Sequence, residues 1–184
     1  MPLATKLSGA RMGIVGIGRI GQAIAQRALA FNMSVAYTAR SAKADLPFKY
    51  LPTPEALAAE SDYLVVITPG GAGTRKLINA DVLKALGTKG ILVNVARGSV
   101  IDEAALIEAL QTGVIGGAGL DVFENEPNVP EALRALPHVV LAPHIGSGTT
   151  QTRQAMADLA FNNLKSYFDD KSVHTPVPEC AAKG

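Results

Sequence analysis

Arg11-Met12-Gly13-Ile14-Val15-Gly16-Ile17-Gly18-Arg19-Ile20-Gly21-Gln22-Ala23-Ile24-Ala25 decides the fold. An apolar run leads into glycines spaced G-x-G-x-x-G, and small and apolar residues then follow in a helical rhythm. The stretch reads as strand, tight turn, helix. Gly16 permits the turn, Gly18 lets a pyrophosphate approach the backbone, and Gly21 lets the helix press on the sheet. The amides of Arg19 and Ile20 fall at the amino end of the helix, where unpaired N–H groups and the dipole favour an anion. The spacing alone also fits an ordinary glycine turn. Its place between a strand and a helix inside a βαβ unit favours dinucleotide binding.

The remaining pattern agrees. Arg11–Gly16, Ser34–Ala39, Tyr63–Thr68, Ile91–Ala96, Gly117–Val122 and Val139–Pro143 are short β-rich runs, and Phe48–Leu51 reads as a further short strand. Most are continuously apolar, as strands covered on both faces are. Between them Ile20–Phe31, Pro54–Glu60, Ala80–Leu86, Glu103–Gln111 and Glu131–Leu136 read as helices, with Asn79 and Asp102 as caps. The alternation implies an α/β fold, a doubly wound parallel sheet (Rossmann fold) of six or seven strands. A long C-terminal helix runs from about Thr149 to Asp169, with Ala155, Leu159, Ala160, Leu164, Tyr167 and Phe168 as an apolar stripe. The tail 173–184 is expected to be loose.

Composition bounds the function. The 184 residues suit one dinucleotide-binding domain spanning 1–184, with 48% hydrophobic and 18% charged residues. A net charge of +1 without a basic run excludes a nucleic-acid surface. No apolar stretch approaches the roughly 18 residues that span a membrane. Cys180 is the one cysteine, so no internal disulfide can form, and a cytoplasmic setting is expected.

The end of the second strand, Tyr37-Thr38-Ala39-Arg40-Ser41, bears on cofactor choice. A site for NAD places Asp or Glu here to bind the ribose 2′-hydroxyl. Here Ala39 holds that place, followed by Arg40 and Ser41. An arginine and a hydroxyl bind a 2′-phosphate, so NADP(H) is favoured over NAD(H). Lys43 is a further donor or a solvated lysine, and Arg40 itself also fits a plain surface role.

Ligands of open α/β sheets sit at the carboxyl ends of the strands. Arg97, Glu126 and His144 fall just past three such ends. An arginine can bind a carboxylate and polarise its carbonyl. A histidine can pass a proton near neutral pH, with a carboxylate to orient it. Singly, a histidine or an arginine at a strand end is more often a structural hydrogen bonder.

Taken together, Gly16-Ile17-Gly18-Arg19-Ile20-Gly21, Leu92-Val93-Asn94-Val95-Ala96-Arg97-Gly98, Asp102-Glu103-Ala104-Ala105-Leu106, Leu120-Asp121-Val122-Phe123-Glu124-Asn125-Glu126-Pro127 and Ala142-Pro143-His144-Ile145-Gly146 resemble the cofactor-binding domain of the D-isomer-specific 2-hydroxyacid dehydrogenases. The resemblance runs from about Leu7 to Lys171. It implies an oxidoreductase that moves a hydride between the cofactor and a small 2-oxo or 2-hydroxy acid. Arg97 would bind the substrate, His144 would transfer the proton and Glu126 would be its partner. Asp121 would touch the nicotinamide carboxamide, and Glu124 would be a solvated neighbour. Around the cofactor the resemblance places Gly16, Gly18, Arg19, Ile20, Gly21, Thr38, Arg40, Ser41, Thr68, Pro69, Thr74, Ala96, Arg97, Asp121, His144 and Gly146, and no metal. The loop Thr68-Pro69-Gly70-Gly71-Ala72-Gly73-Thr74 departs from the usual Pro-Leu-Thr form.

Within the family, Ala39-Arg40-Ser41 is similar to NADPH-dependent glyoxylate and hydroxypyruvate reductases. Family members carry a substrate-binding lobe of roughly 100 residues before the first strand, a domain's length. That N-terminal lobe is therefore expected to be absent from this chain, which would bind NADPH and turn over poorly alone. A homodimer is implied by resemblance. Competing readings are a nucleotide-sensing scaffold, which needs none of Arg97, Glu126 and His144, and an NAD-dependent relative with another substrate. His138, His174, Cys180, Arg153 and Lys165 are expected to take no part.

Overall fold

The computed structural model describes residues 5–177. Seven strands form one parallel sheet: β1 (Arg11–Val15), β2 (Ser34–Thr38), β3 (Lys49–Tyr50), β4 (Tyr63–Val66), β5 (Ile91–Asn94), β6 (Gly117–Leu120) and β7 (Val139–Leu141). Their spatial order is β3-β2-β1-β4-β5-β6-β7. The chain leaves β1 toward β2 and later returns to lay β4 on the other side. This reversal puts a crevice beyond the carboxyl end of β1. The short run before Leu51 is the edge strand β3, as expected.

The helices are α1 (Arg19–Ala30), α2 (Pro54–Ala59), α3 (Ala80–Leu86), α4 (Glu103–Gln111), α5 (Glu131–Arg134) and α6 (Thr150–Asp170). Thr53, Asn79 and Asp102 cap α2, α3 and α4, each side chain accepting a first-turn amide. Two short 3-10 turns, Ala72–Thr74 and Gly98–Val100, were not expected from the sequence. Two compact units result, 1–144 and 145 onward.

Alternating strand residues feed two apolar layers. Val15, Leu64, Val66, Leu92, Ala118 and Leu120 face one way, among side chains of α2, α3, α4 and α5. Ile14 and Tyr37 face the other way, toward Ala25 of α1. Strand register carries that second layer across the sheet as Tyr37, Ile14, Val65, Val93, Gly119 and Val140. Burial falls along the row, from Ile14 at 0% exposed to Val140 at 72%.

Gly16 turns the chain out of β1 at a φ of +102°, a region that side chains rarely enter. Gly21, Ala25 and Ala28 are the buried face of α1. A Cβ on Gly21 would lie 2.2 Å from the Gly16 carbonyl oxygen, so the helix rests on the turn that precedes it.

In the second unit, α6 begins at Thr149, whose hydroxyl accepts the Thr152 amide at 3.1 Å. It ends at Lys171, in the left-handed region. The expected apolar stripe is present in sequence but is not buried: Leu159, Leu164, Tyr167 and Phe168 are all exposed. Lys165 pairs with Asp169 one turn on. Cys180 and the end of the tail lie outside the described residues. No helix among the described residues is long and apolar enough to cross a membrane.

Gly21→Ala forces its Cβ against backbone that cannot swing aside. The expected outcome is a loss of unfolding free energy of about 2 kcal/mol or more, in the range of core overpacking. Urea denaturation of the purified chain measures it. Gly18→Ala, where a Cβ meets no heavy atom within 4 Å, is expected to unfold at nearly the original midpoint.

Candidate active site

The crevice opens around the β1–α1 turn. The Gly16 amide donates to the Thr38 carbonyl at 3.0 Å, and the Ile67 amide to the Val15 carbonyl at 2.9 Å. The ends of β2 and β4 are thus tied to the end of β1. One cavity, of about 560 Å³, lies among Gly16, Ile17, Gly18, Ala39, Arg40, Ser41, Lys43, Thr68 and Pro69. A second, of about 610 Å³, is lined by Ile20, Ile67, Thr68, Pro69, Gly70, Gly71, Val95, Ala96, Arg97 and Ser99. Thr68 and Pro69 border both, so the two adjoin.

The amino end of α1 has no side-chain cap and no acidic residue in its first turn. Its N–H groups and the helix dipole favour an anion there. A Cβ on Gly18 would point into open space, so the absence of a side chain leaves the turn bare on its outer face. These features suit a dinucleotide pyrophosphate.

Asn94, the last residue of β5, is only 1% exposed. Its side-chain oxygen accepts the Ala96 amide at 3.0 Å, and its NH₂ group donates to the Arg97 carbonyl at 3.1 Å. The turn that carries Ala96 and Arg97 is therefore set by one buried amide. Arg97 donates through Nη1 to the Ala96 carbonyl at 2.6 Å and is otherwise exposed beside the second cavity. Next to it, a Cβ on Gly98 would fall 1.9 Å from the Phe123 carbonyl carbon. Only glycine lets the β5 turn press against the loop after β6.

That loop carries Glu126. One carboxylate oxygen accepts the Phe123 amide at 3.0 Å, and the other meets His144 Nδ1 at 2.8 Å. The hydrogen bond from His144 and then that from Phe123 hold the carboxyl below the usual range, with smaller help from the charges of His144 and Arg97. An ionised carboxylate only accepts, so Nδ1 carries the proton and Nε2 is left for other work. His144 has a φ of +54°, in the left-handed region. A small apolar cavity of about 140 Å³ adjoins the pair, lined by Phe123, Glu126, Pro127, Val129, Pro143 and His144. Arg97, Glu126 and His144 follow β5, β6 and β7, three adjacent strands, and face the same end of the sheet.

Of the other expected cofactor residues, Gly16, Gly18, Ile20, Arg40, Ser41, Thr68, Pro69 and Ala96 border the two cavities. Gly21 lies beneath the turn. Arg19 opens α1 and is exposed. Thr38 is buried and contributes its carbonyl to Gly16. Thr74 closes its own loop by donating to the Pro69 carbonyl at 2.7 Å. Asp121 receives position from its amide, which donates to the Asn94 carbonyl at 3.0 Å. Gly146 belongs to the second unit, in the turn before α6. Glu124, expected to be a solvated neighbour, is exposed; it also pairs with Arg75 at 3.0 Å, and its amide donates to Glu103 at 3.1 Å. His138 meets the Leu110 carbonyl through Nε2 at 3.2 Å, a structural contact. Asn94 and Ser99 were not singled out from the sequence. A lone amide ending an apolar strand was the available sign for Asn94. Among the described residues no group of His, Cys, Asp or Glu is placed to hold a metal ion.

Comparison with known proteins gives the family of the chain. Residues 1–146 match the model of the D-isomer specific 2-hydroxyacid dehydrogenase, NAD binding domain. A glyoxylate/hydroxypyruvate reductase from Arabidopsis thaliana is 53% identical over 175 residues, covering 95% of this chain and 56% of the relative. A hydroxyphenylpyruvate reductase from Plectranthus scutellarioides is 51% identical over the same shares of both chains. The crystal structure of an NADPH-dependent glyoxylate/hydroxypyruvate reductase from Sinorhizobium meliloti, in complex with NADP and malonate, superposes with a TM-score of 0.94 at 54% identity. It is matched over 97% of this chain and 56% of its own. The chain thus spans little more than half the length of these relatives. On the match over residues 1–146 and these identities, the chain belongs to the D-isomer specific 2-hydroxyacid dehydrogenase family and carries that family's NAD-binding domain.

Proposed function

We propose that this chain is the cofactor half of an NADP(H)-dependent reductase of small 2-oxo acids, of the glyoxylate or hydroxypyruvate kind. The observation that carries the reading is the His144–Glu126 pair standing beside Arg97 at the crevice end of the sheet. A nicotinamide dinucleotide, when bound, supplies the hydride that goes to the 2-carbon of the oxo acid. The Gly16–Gly21 turn and the start of α1 would hold its pyrophosphate. Arg40 and Ser41, with Lys43 beside them, would hold a 2′-phosphate; no carboxylate borders that cavity to repel it.

The chain's own groups account for the rest. Arg97 binds the substrate carboxylate and draws charge toward the carbonyl oxygen. His144, with Nδ1 held by Glu126, gives a proton from Nε2 to that oxygen as the alcohol forms, and takes it back in the reverse direction. Glu126 fixes the ring's orientation and stabilises its protonated form. A substrate-binding lobe outside this chain would complete the cleft and exclude water. Positioning contributes up to about 7–11 kcal/mol in ideal cases, so the isolated chain should bind cofactor and turn over poorly.

Three outcomes test the reading. Arg40→Ala should weaken NADPH binding roughly tenfold or more, the worth of a charge-assisted hydrogen bond, and leave NADH binding nearly unchanged. Fluorescence titration of the purified chain with each cofactor measures this, and equal affinities unmoved by the substitution would remove the phosphate claim. In the two-lobed enzyme, His144→Ala should lower the rate of glyoxylate reduction about 10²- to 10⁴-fold, the range of general acid–base catalysis. Wild-type turnover would refute the proton-transfer role.

The third outcome concerns pH. Because folding lowers the carboxyl's pKa, the His144–Glu126 contact stabilises the fold above the ordinary carboxylate range. That contribution is lost as pH falls through the lowered value. In a His144→Ala chain the Glu126 carboxyl should titrate at higher pH than in the unsubstituted chain, read by carbon-detected NMR. An unmoved midpoint counts against the coupling.

A further inference from the structure

The loop beyond β2 is fastened from beneath by two tyrosines that the motif does not include. Tyr37 is 1% exposed, with its ring in the apolar layer of Ile14, Ile17 and Ala25. Its hydroxyl accepts the Lys43 backbone amide at 2.7 Å and lies 3.5 Å from the Lys43 carbonyl oxygen. Tyr50, on the adjoining edge strand, has its ring 5.5 Å from that of Tyr37, and its hydroxyl donates to the Ala39 carbonyl at 3.4 Å. The two contacts grip the two ends of 39–43. Between them lie Arg40 and Ser41, exposed, on the wall of the cavity that also holds Gly16 and Gly18.

A phenylalanine would fill the apolar layer at position 37 equally well. A buried hydroxyl is costly unless it is partnered, and its close partner is a loop amide rather than a core group. Lys43 also starts a turn, its carbonyl accepting the Leu46 amide at 3.3 Å. Leu46 and Phe48 then return the chain to the same apolar layer. The loop is therefore tied down at Ala39, at Lys43 and again at Leu46, and only its donor-bearing stretch is left facing the cavity.

We propose that Tyr37 is a positioning residue for recognition of a 2′-phosphate. By holding the Lys43 amide, its hydroxyl keeps 39–43 in the one shape in which Arg40, Ser41 and Lys43 converge on a single dianion. This inference rests on the NADP(H) reading above. Donors arranged before binding avoid the ordering cost that a free loop would incur. A ribose 2′-hydroxyl draws little on that convergence, so the effect is selective for phosphate-bearing ligands.

The test uses the purified 184-residue chain and Tyr37→Phe, with Arg40→Ala as the reference. Each is titrated with NADPH, NADH and 2′,5′-ADP. Tyr37→Phe should weaken NADPH and 2′,5′-ADP by about three- to tenfold, as expected for one lost neutral hydrogen bond, and change NADH by less than about twofold. Arg40→Ala should give the same pattern with a larger loss. Equal weakening of NADPH and NADH by Tyr37→Phe would make Tyr37 a structural residue only and overturn the proposal. So would unchanged binding of all three ligands by Tyr37→Phe while Arg40→Ala still selects against NADPH, and in that case the NADP(H) reading survives. A ratio of NADPH to NADH affinity unmoved by Arg40→Ala overturns that reading and the inference with it. Should Tyr37→Phe fail to fold, hydrogen exchange of the Lys43 amide in the unsubstituted chain decides. It should be slow, and slower with 2′,5′-ADP bound, whereas exchange at the rate of an open loop would overturn the proposal.

Discussion

The place where α1 rests on the turn after β1 leaves no room for a single carbon atom. Gly21 meets the carbonyl of Gly16 at a distance that a Cβ would reduce to 2.2 Å, and Gly16 has almost as little space against the backbone of Thr68. From this contact the rest of the crevice follows. The first turn of the helix is drawn down onto the end of β1, and its amino end carries no side-chain cap. The amide of Gly16 reaches Thr38, which brings the arginine-bearing loop alongside, and the amide of Ile67 reaches Val15, which brings up the glycine-rich loop from the other side. A bulkier turn would separate three loops at once.

A second close approach joins the next two loops. Gly98 lies against the Phe123 carbonyl, so the arginine turn and the glutamate loop share one wall. Asn94 shapes the first of these and, through its own carbonyl, holds the amide of Asp121 in the second. The charges are arranged around that wall. Glu126 is kept ionised by a histidine and a backbone amide, with a guanidinium close enough to add to the effect. Both partners of this hydrogen-bonded pair are partly open to water, at 48% and 35% side-chain exposure. Its value lies in orientation more than in stability, as expected for exposed pairs.

Much of this could be read from residue order. Parallel strands buried on both faces announce themselves as unbroken apolar runs, and caps such as Asn79 and Asp102 mark where helices start. The three polar residues past β5, β6 and β7 were legible because the rule that ligands gather at strand ends needs only strand boundaries. What was not legible depends on contacts between distant residues. Glu124 and Glu126 are two positions apart in one acidic loop, and nothing local says that the first pairs with Arg75 while the second meets His144. Thr38 reads as a polar strand-end residue, and nothing local says that its carbonyl receives the Gly16 amide. The tyrosine hydroxyl at position 37 reaches six residues along the chain, through a loop whose path no periodicity encodes. The apolar spacing of α6 marks a helix but does not say what surface, if any, its stripe is to meet.

Arg97, Glu126 and His144 lie past neighbouring strands of one hydrogen-bonded sheet, and such strands stand about 4.8 Å apart whatever their sequence. The sheet therefore works as a ruler. The backbone ladder fixes the lateral spacing of the strand ends from which the three loops start, and each loop then decides where its side chain lies. Other residues in those loops can thus be exchanged while the strands beneath the three groups keep their stations. The division separates what the sheet holds constant from what the loops are free to vary.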